Sequence, residues 1–179
     1  MTGDSAFEAF YQAQYDDLLR YALRRVDQPA DAADIVAETW VVAWRRRHDL
    51  PPVAEQRLWL FGTARRVLAN HRRGRVRASR LSDKLAQDLQ ATARHVTEPD
   101  EPVRRALSQL SERDREVLFL SAWEDLPPGD IATVLGCSAA TARVRLHRAR
   151  ARFRDALSDP PAPAARTCLQ PLLSVEGSR

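Results

Sequence analysis

The sequence predicts an all-α chain, two small helical domains joined by a flexible linker. Three observations carry that expectation. Apolar residues recur at steps of 3 and 4 through most of 5–74 and 103–157, the period of helices with one buried face. Residues 77–102 lose that pattern and end in Thr97-Glu-Pro-Asp-Glu-Pro, a stretch of about 25 residues that is too long for a simple turn. Residues 127–154 read as two helices joined by a tight turn, the second loaded with arginine.

In the first helix, 5–26, Phe7, Tyr11, Tyr15, Leu18 and Ala22 step by 4, 4, 3 and 4, and Phe10, Leu19 and Val26 widen the face. Asp27-Gln28-Pro29 is a break, with Pro29 near the first turn of the next helix. That helix, about 30–47, buries Ile35, Val36, Thr39, Val42 and Ala43, while Asp34, Glu38 and Val41 share its other side. Asp31 at its start and Arg45–Arg47 at its end suit the helix dipole. The dipole does not explain Glu38 in mid-helix, which points to a partner surface.

Pro51-Pro52 forbids helix in the loop 48–56. The third helix, about 55–74, turns Leu60, Ala64, Val67 and Leu68 inward, with at least one of Trp59 and Phe61. Arg65, Arg66, Arg72, Arg73, Arg75, Arg77 and Arg80 form the densest positive run of the chain. Clustered arginine beside aromatics and Asn70 is the composition of a single-strand or phosphate groove. Leu81, Leu85 and Leu89 allow only a marginal helix. Helix resumes at 103–110 through Val103, Ala106, Leu107 and Leu110. Ser111 and Asp114 then make a capping box, Asp standing for the usual Glu, ahead of Val117, Leu118, Ser121 and Ala122.

Pro128 suits a first helical position, and Ile131, Ala132 and Leu135 follow at helical spacing. Gly136 stops this helix where a left-handed residue is needed, and Ser138 caps the next. There Ala142, Leu146, Ala149 and Phe153 give an inward stripe, leaving Arg143, Val144, His147 and Arg148 for an outside partner. No acidic residue lies between Asp130 and Asp155, whereas 143–154 holds six arginines and a histidine. A merely solvated helix is the plain alternative, but surface helices normally mix signs. The proline-rich tail 158–179 cannot continue the helix and is expected to be disordered, apart from an apolar patch at Leu169–Val175.

Of 28 basic residues 27 are arginine, net charge is +4 and pI is about 9.7. Residues 4–49 carry more acid than base, whereas 56–82 and 131–154 carry no acid. That asymmetry implies an acidic protein-docking face and two basic nucleic-acid faces. Cys137 and Cys168, without CxxC or spaced histidines, complete no zinc site. No metal or cofactor is expected. Asp4 and Glu8 stand where a signal peptide needs positive charge. No apolar run could span a bilayer, so membrane insertion is not expected and a reduced, cytoplasmic location is.

The order Asp31-Ala-Ala-Asp-Ile-Val-Ala-Glu-Thr-Trp-Val-Val-Ala-Trp, then Leu58-Trp-Leu-Phe-Gly-Thr-Ala-Arg-Arg-Val-Leu-Ala-Asn-His-Arg-Arg, then a linker and Leu110-Ser-Glu-Arg-Asp-Arg-Glu-Val-Leu ahead of the helix-turn-helix, resembles bacterial RNA polymerase sigma factors. The likeness is to the extracytoplasmic-function (ECF) group of the sigma-70 family, over roughly 5–76 and 103–157. It implies a sigma region 2 bundle at 1–76, a linker at 77–102, a region 4 helix-turn-helix at 103–157 and a tail at 158–179. Such a protein is no enzyme: it binds core RNA polymerase and directs initiation at promoters. The resemblance places Asp34, Ala37, Glu38 and Val41 on the β′ clamp helices and implies a β-flap contact for the polymerase. It assigns the melted −10 strand, with one flipped-out base, to Arg65, Arg66, Asn70, His71, Arg72 and Arg73. It assigns the −35 duplex to Arg143, Val144, His147 and Arg148, with Arg145 nearer the phosphates. An anti-sigma factor is a further implied partner.

Departures from the family are specific. Ala37 stands where Gln is usual and Arg66 where Asn is common; Gly62 and Thr63 replace a larger basic and a branched apolar residue. The two-proline loop 48–56 does not follow the common pattern. Two competing readings are a dimeric duplex-binding regulator and an enzyme using Asp31, Asp34 and Glu38. The first lacks a receiver or ligand-pocket pattern in 1–76; the second lacks a sequence-near histidine and any Gly-rich phosphate loop.

Overall fold

Seven helices make up all the regular structure of residues 3–82 and 100–158, the parts that this computed structural model describes. The first three are α1 (Gly3–Leu23), α2 (Pro29–Arg45) and α3 (Val53–Ser82), which pack on one another. Pro29 opens α2 at a position where its missing N–H is harmless. Leu18, Tyr21 and Ala22 from α1, Ile35, Val36 and Ala43 from α2, and Leu60, Phe61, Ala64 and Val67 from α3 fill the core between them. Thr39 is buried among them as expected, and its hydroxyl donates to the Ile35 carbonyl at 2.6 Å, which removes the cost of burying it. At the open end Phe7, Phe10 and Trp40 meet edge to face at 5.3–6.2 Å. Tyr11, expected inside, lies on the rim against Trp40 with 38% of its surface exposed.

The sequence predicts an end to the third helix near 74, yet α3 runs to Ser82. Nothing between 57 and 82 breaks it: Gly74 costs only about 1 kcal/mol in a helix interior, and no proline follows until Pro99. The remainder of the expected linker, 83–99, and the tail from 159, with Cys168 and Leu169–Val175, lie outside the described residues.

The other four helices are α4 (Glu101–Gln109), α5 (Glu112–Ala122), α6 (Pro128–Leu135) and α7 (Ala139–Ser158). The last is the post of this group, with α4, α5 and α6 laid against it. Ser111 caps α5 by accepting the Asp114 N–H at 3.2 Å. The Asp114 carboxylate does not close the box on the Ser111 N–H; it takes the Ser111 hydroxyl at 2.8 Å and Arg152 at 2.7 Å. An aspartate is one methylene short of the reach a glutamate has, and a nearby arginine is the stronger partner.

The two groups meet along a seam in which α6 lies on α3 and α5 faces the end of α1. Arg25, just past α1, is buried there between Glu116 (2.8 Å) and Glu124 (3.0 Å), its guanidinium 3.5 Å above the Tyr21 ring. Tyr21 donates its hydroxyl to Glu116 at 2.9 Å. Burial pushes the Tyr21 phenol well above its ordinary value, although Arg25 pulls the other way. For Arg25 burial acts downward, but the carboxylates of Glu116 and Glu124 outweigh it and hold the charge in place.

Candidate nucleic-acid interface

The turn between α6 and α7 is built as its residues require. Gly136 takes φ +66°, the left-handed region open to glycine, while its own N–H and that of Cys137 return to the carbonyls of Thr133 (3.3 Å) and Ala132 (3.0 Å). Ser138 accepts the Thr141 N–H at 3.1 Å and so opens α7. Ala142, Leu146 and Ala149 are buried and Phe153 half-buried, as the stripe predicts. Arg143, Val144, Arg145, His147 and Arg148 are all exposed, and Val144, at 49%, is among the most exposed apolar residues. A 20-residue helix anchored on one side and arginine-rich on the other has the dimensions of a major-groove reader.

On α3 the six expected residues have a different setting. Arg66, Asn70 and Arg73 are exposed; Arg65, His71 and Arg72 are half-buried. Arg66 donates to the Thr63 hydroxyl at 3.2 Å and Arg73 to the Asn70 side chain. Arg65 reaches across the seam to the Leu135 carbonyl at 3.2 Å. Arg72 donates to the Arg25 carbonyl at 2.8 Å and lies 3.4 Å from Glu112. His71 Nε2 sits 3.6 Å from Asp31 on α2, a neighbour that forty residues of separation hid. Gly62 is buried where α6 crosses, and a Cβ there would lie 3.6 Å from the Val134 carbonyl oxygen.

The α2 surface is the third. Asp34, Ala37, Glu38 and Val41 are exposed together on one side of the helix. Trp44, which sequence reasoning did not single out, extends this surface: it and Val41 are each 46% exposed, and Arg47 lies 4.4 Å over its ring. Spacing from Val41 to Trp44 is i, i+3, so the signal was present. Arg25, Glu116 and Glu124 were also passed over, because partners more than 90 residues apart leave no local periodicity. Among the described residues no group of three or more His, Cys, Asp or Glu side chains could hold a metal ion. No described helix is long and apolar enough to cross a membrane.

A helical bundle with an acidic, partly apolar surface, followed by a helix-turn-helix unit, defines a two-part DNA-binding protein. Comparison with known proteins names the class. The family model for sigma-70 region 2 matches residues 10–78 and that for sigma-70 region 4 matches 100–153. The ECF RNA polymerase sigma factor SigL of Mycobacterium tuberculosis is 32% identical over 173 residues, spanning 89% of this chain and 96% of that one. The RNA polymerase sigma-E factor of Streptomyces avermitilis is 34% identical over 155 residues, 84% of each chain. Among solved structures, the sigma factor RpoE of Bartonella quintana, in complex with the anti-sigma factor NepR, has a TM-score of 0.69 at 25% identity, covering 85% of this chain and 96% of that one. The chain belongs to the sigma-70 family, in its ECF group. It is a promoter-recognising initiation factor for RNA polymerase, not an enzyme, and the readings as a dimeric regulator or a carboxylate enzyme fall away.

Proposed function

We propose a division of labour among the three surfaces. Asp34, Ala37, Glu38, Val41 and, as an addition, Trp44 dock on the β′ clamp helices of core polymerase, with the second unit reaching the β flap. Arg65, Arg66, Asn70 and His71 hold the melted −10 strand and its extruded base, and Arg72 and Arg73 neutralise phosphates beside them. Arg143, Val144, His147 and Arg148 read the −35 duplex, with Arg145 on its backbone. An anti-sigma protein is a further partner, in line with the similar Bartonella quintana structure, which holds one.

One observation carries this reading: the outward residues of α7 stand exposed over a buried Ala142–Leu146–Ala149 stripe. Arginine there can pair with guanine O6 and N7, each good pair giving about 1–3 kcal/mol of discrimination. On α3 the chemistry is different, since a pocket for an extruded base helps offset lost stacking, and phosphate contacts add affinity that falls steeply with salt. Transcription in vitro with purified core enzyme on a library randomised at −35 and −10 tests the proposal. Initiation confined to a subset of templates is expected, with Glu38→Ala weakening core binding. Initiation on no template would end it.

A further inference from the structure

We propose that this chain carries its own clasp: the buried ionic cluster of Arg25, Glu116 and Glu124 closes the second unit over the first, and closure occupies arginines that promoter DNA needs. The inference rests on the promoter reading above. Its first support is the chemistry of the seam. Arg25 has 1% of its side chain exposed, Glu124 4% and Glu116 14%, and the pairs are 3.0 and 2.8 Å long. Arg24 lies 3.3 Å from Glu124, and Arg57 donates to the Glu124 carbonyl at 3.2 Å. Every group in that cluster hydrates readily once the units part, so opening strands no charge in an apolar interior. Closure is also incompletely satisfied: Arg25 Nη2 and Arg65 Nε are buried with no hydrogen-bond partner. Such unmet groups favour the open form, where water reaches them, and keep the balance between the two forms close.

The second support is what closure occupies. Across the seam Arg65 is drawn to the carbonyl of Leu135, the last residue of α6, and Arg72 lies 3.4 Å from Glu112 on α5. Both arginines belong to the surface assigned above to the −10 strand. A single strand therefore competes with the helix-turn-helix unit for the same face of α3. Gly62 is the third support. It sits where α6 crosses α3, and a Cβ there would lie 3.6 Å from the Val134 carbonyl oxygen and 3.9 Å from the Val134 Cα. One added methyl fits at ordinary contact. A longer side chain has Val134 backbone in its way.

The full-length chain tests this with Arg25→Gln, Gly62→Gln and Gly62→Ala. Solution X-ray scattering reads compaction, and fluorescence anisotropy reads binding of a short mixed-sequence single-stranded oligonucleotide. Arg25→Gln and Gly62→Gln should each enlarge the radius of gyration and tighten oligonucleotide binding by about tenfold, the gain expected if the open form is roughly a tenth of the wild-type population. Gly62→Ala should change neither. Arg25→Gln removes a positive charge, so tighter DNA binding by that variant runs against simple electrostatics. Gly62→Gln improves helix propensity, and it decides the matter should Arg25→Gln lose helicity by circular dichroism. Unchanged dimensions in both variants overturn the clasp. Expansion with unchanged binding overturns the masking of α3. Wild-type transcription with core polymerase is measured alongside: its absence would defeat the promoter reading, while the scattering result still judges the clasp.

Discussion

α3 and α7 carry the two acid-free arginine runs of the chain, yet their guanidiniums meet different surroundings. On α7 the outward arginines stand in solvent above a buried stripe. On α3 several are engaged by the protein itself, Arg65 across the seam, Arg72 with the Arg25 carbonyl and Arg66 with its own helix. Similar composition therefore supports two kinds of encounter. A rigid, pre-exposed helix suits duplex DNA whose groove is already formed, whereas a partly occupied face suits a strand that exists only after melting. The contrast teaches that a charge run reports where nucleic acid could bind, not whether the site is free.

The largest expected effect removes the platform under one side of this contrast. Leu146→Ala should destabilise the helix-turn-helix unit by about 2–5 kcal/mol, the usual cost of a buried large-to-small change, seen as a lowered thermal midpoint. If the midpoint holds, α7 does not depend on that stripe. Next, Arg148→Ala should leave the melt alone but cost about 1–3 kcal/mol of discrimination at one −35 position. An unchanged ranking of promoters across a −35 library would remove Arg148 from the reading set. The smallest effect separates the helices by stability alone. Arg72→Ala should cost about 1 kcal/mol, since a hydrogen bond from a charged group to the Arg25 carbonyl is lost at a partly exposed site. Arg143→Ala, which is exposed, should stay within about 0.5 kcal/mol of wild type. Equal losses would erase the distinction between an engaged and an open arginine surface.

Much of this architecture was legible in the chain. Pro29, Pro128, Gly136, Ser111 and Ser138 mark helix ends by local chemistry, and each sits at the end expected of it. The buried stripes of α2, α3 and α7 followed from spacing, because a helix shows its core face every three or four residues. Tyr21 and Trp40 were overlooked though both fit that spacing, and Tyr11 was placed inside when it stands at a rim. The end of α3 was misjudged because a polar, arginine-rich sequence carries no apolar period, while helix propensity alone was enough to continue it. The seam was illegible for a different reason. Its pairs join residues whose separation in sequence exceeds 90, and its members look like ordinary surface charges until the tertiary structure encloses them.

Asp114 has a reach greater than its position implies. It grips Ser111 at the head of α5 and Arg152 toward the far end of α7, and so acts as a fulcrum for a lever. About 14 Å of helix separates Arg152 from Arg143. A pivot of roughly five degrees at the gripped end would swing the tip by about 1 Å, enough to take a contact near 2.9 Å out of hydrogen-bonding range. In the proposed reading of the −35 duplex by α7, Asp114 steadies the aim of the reading residues through Arg152, and Asp114→Asn should blur promoter choice from a distance.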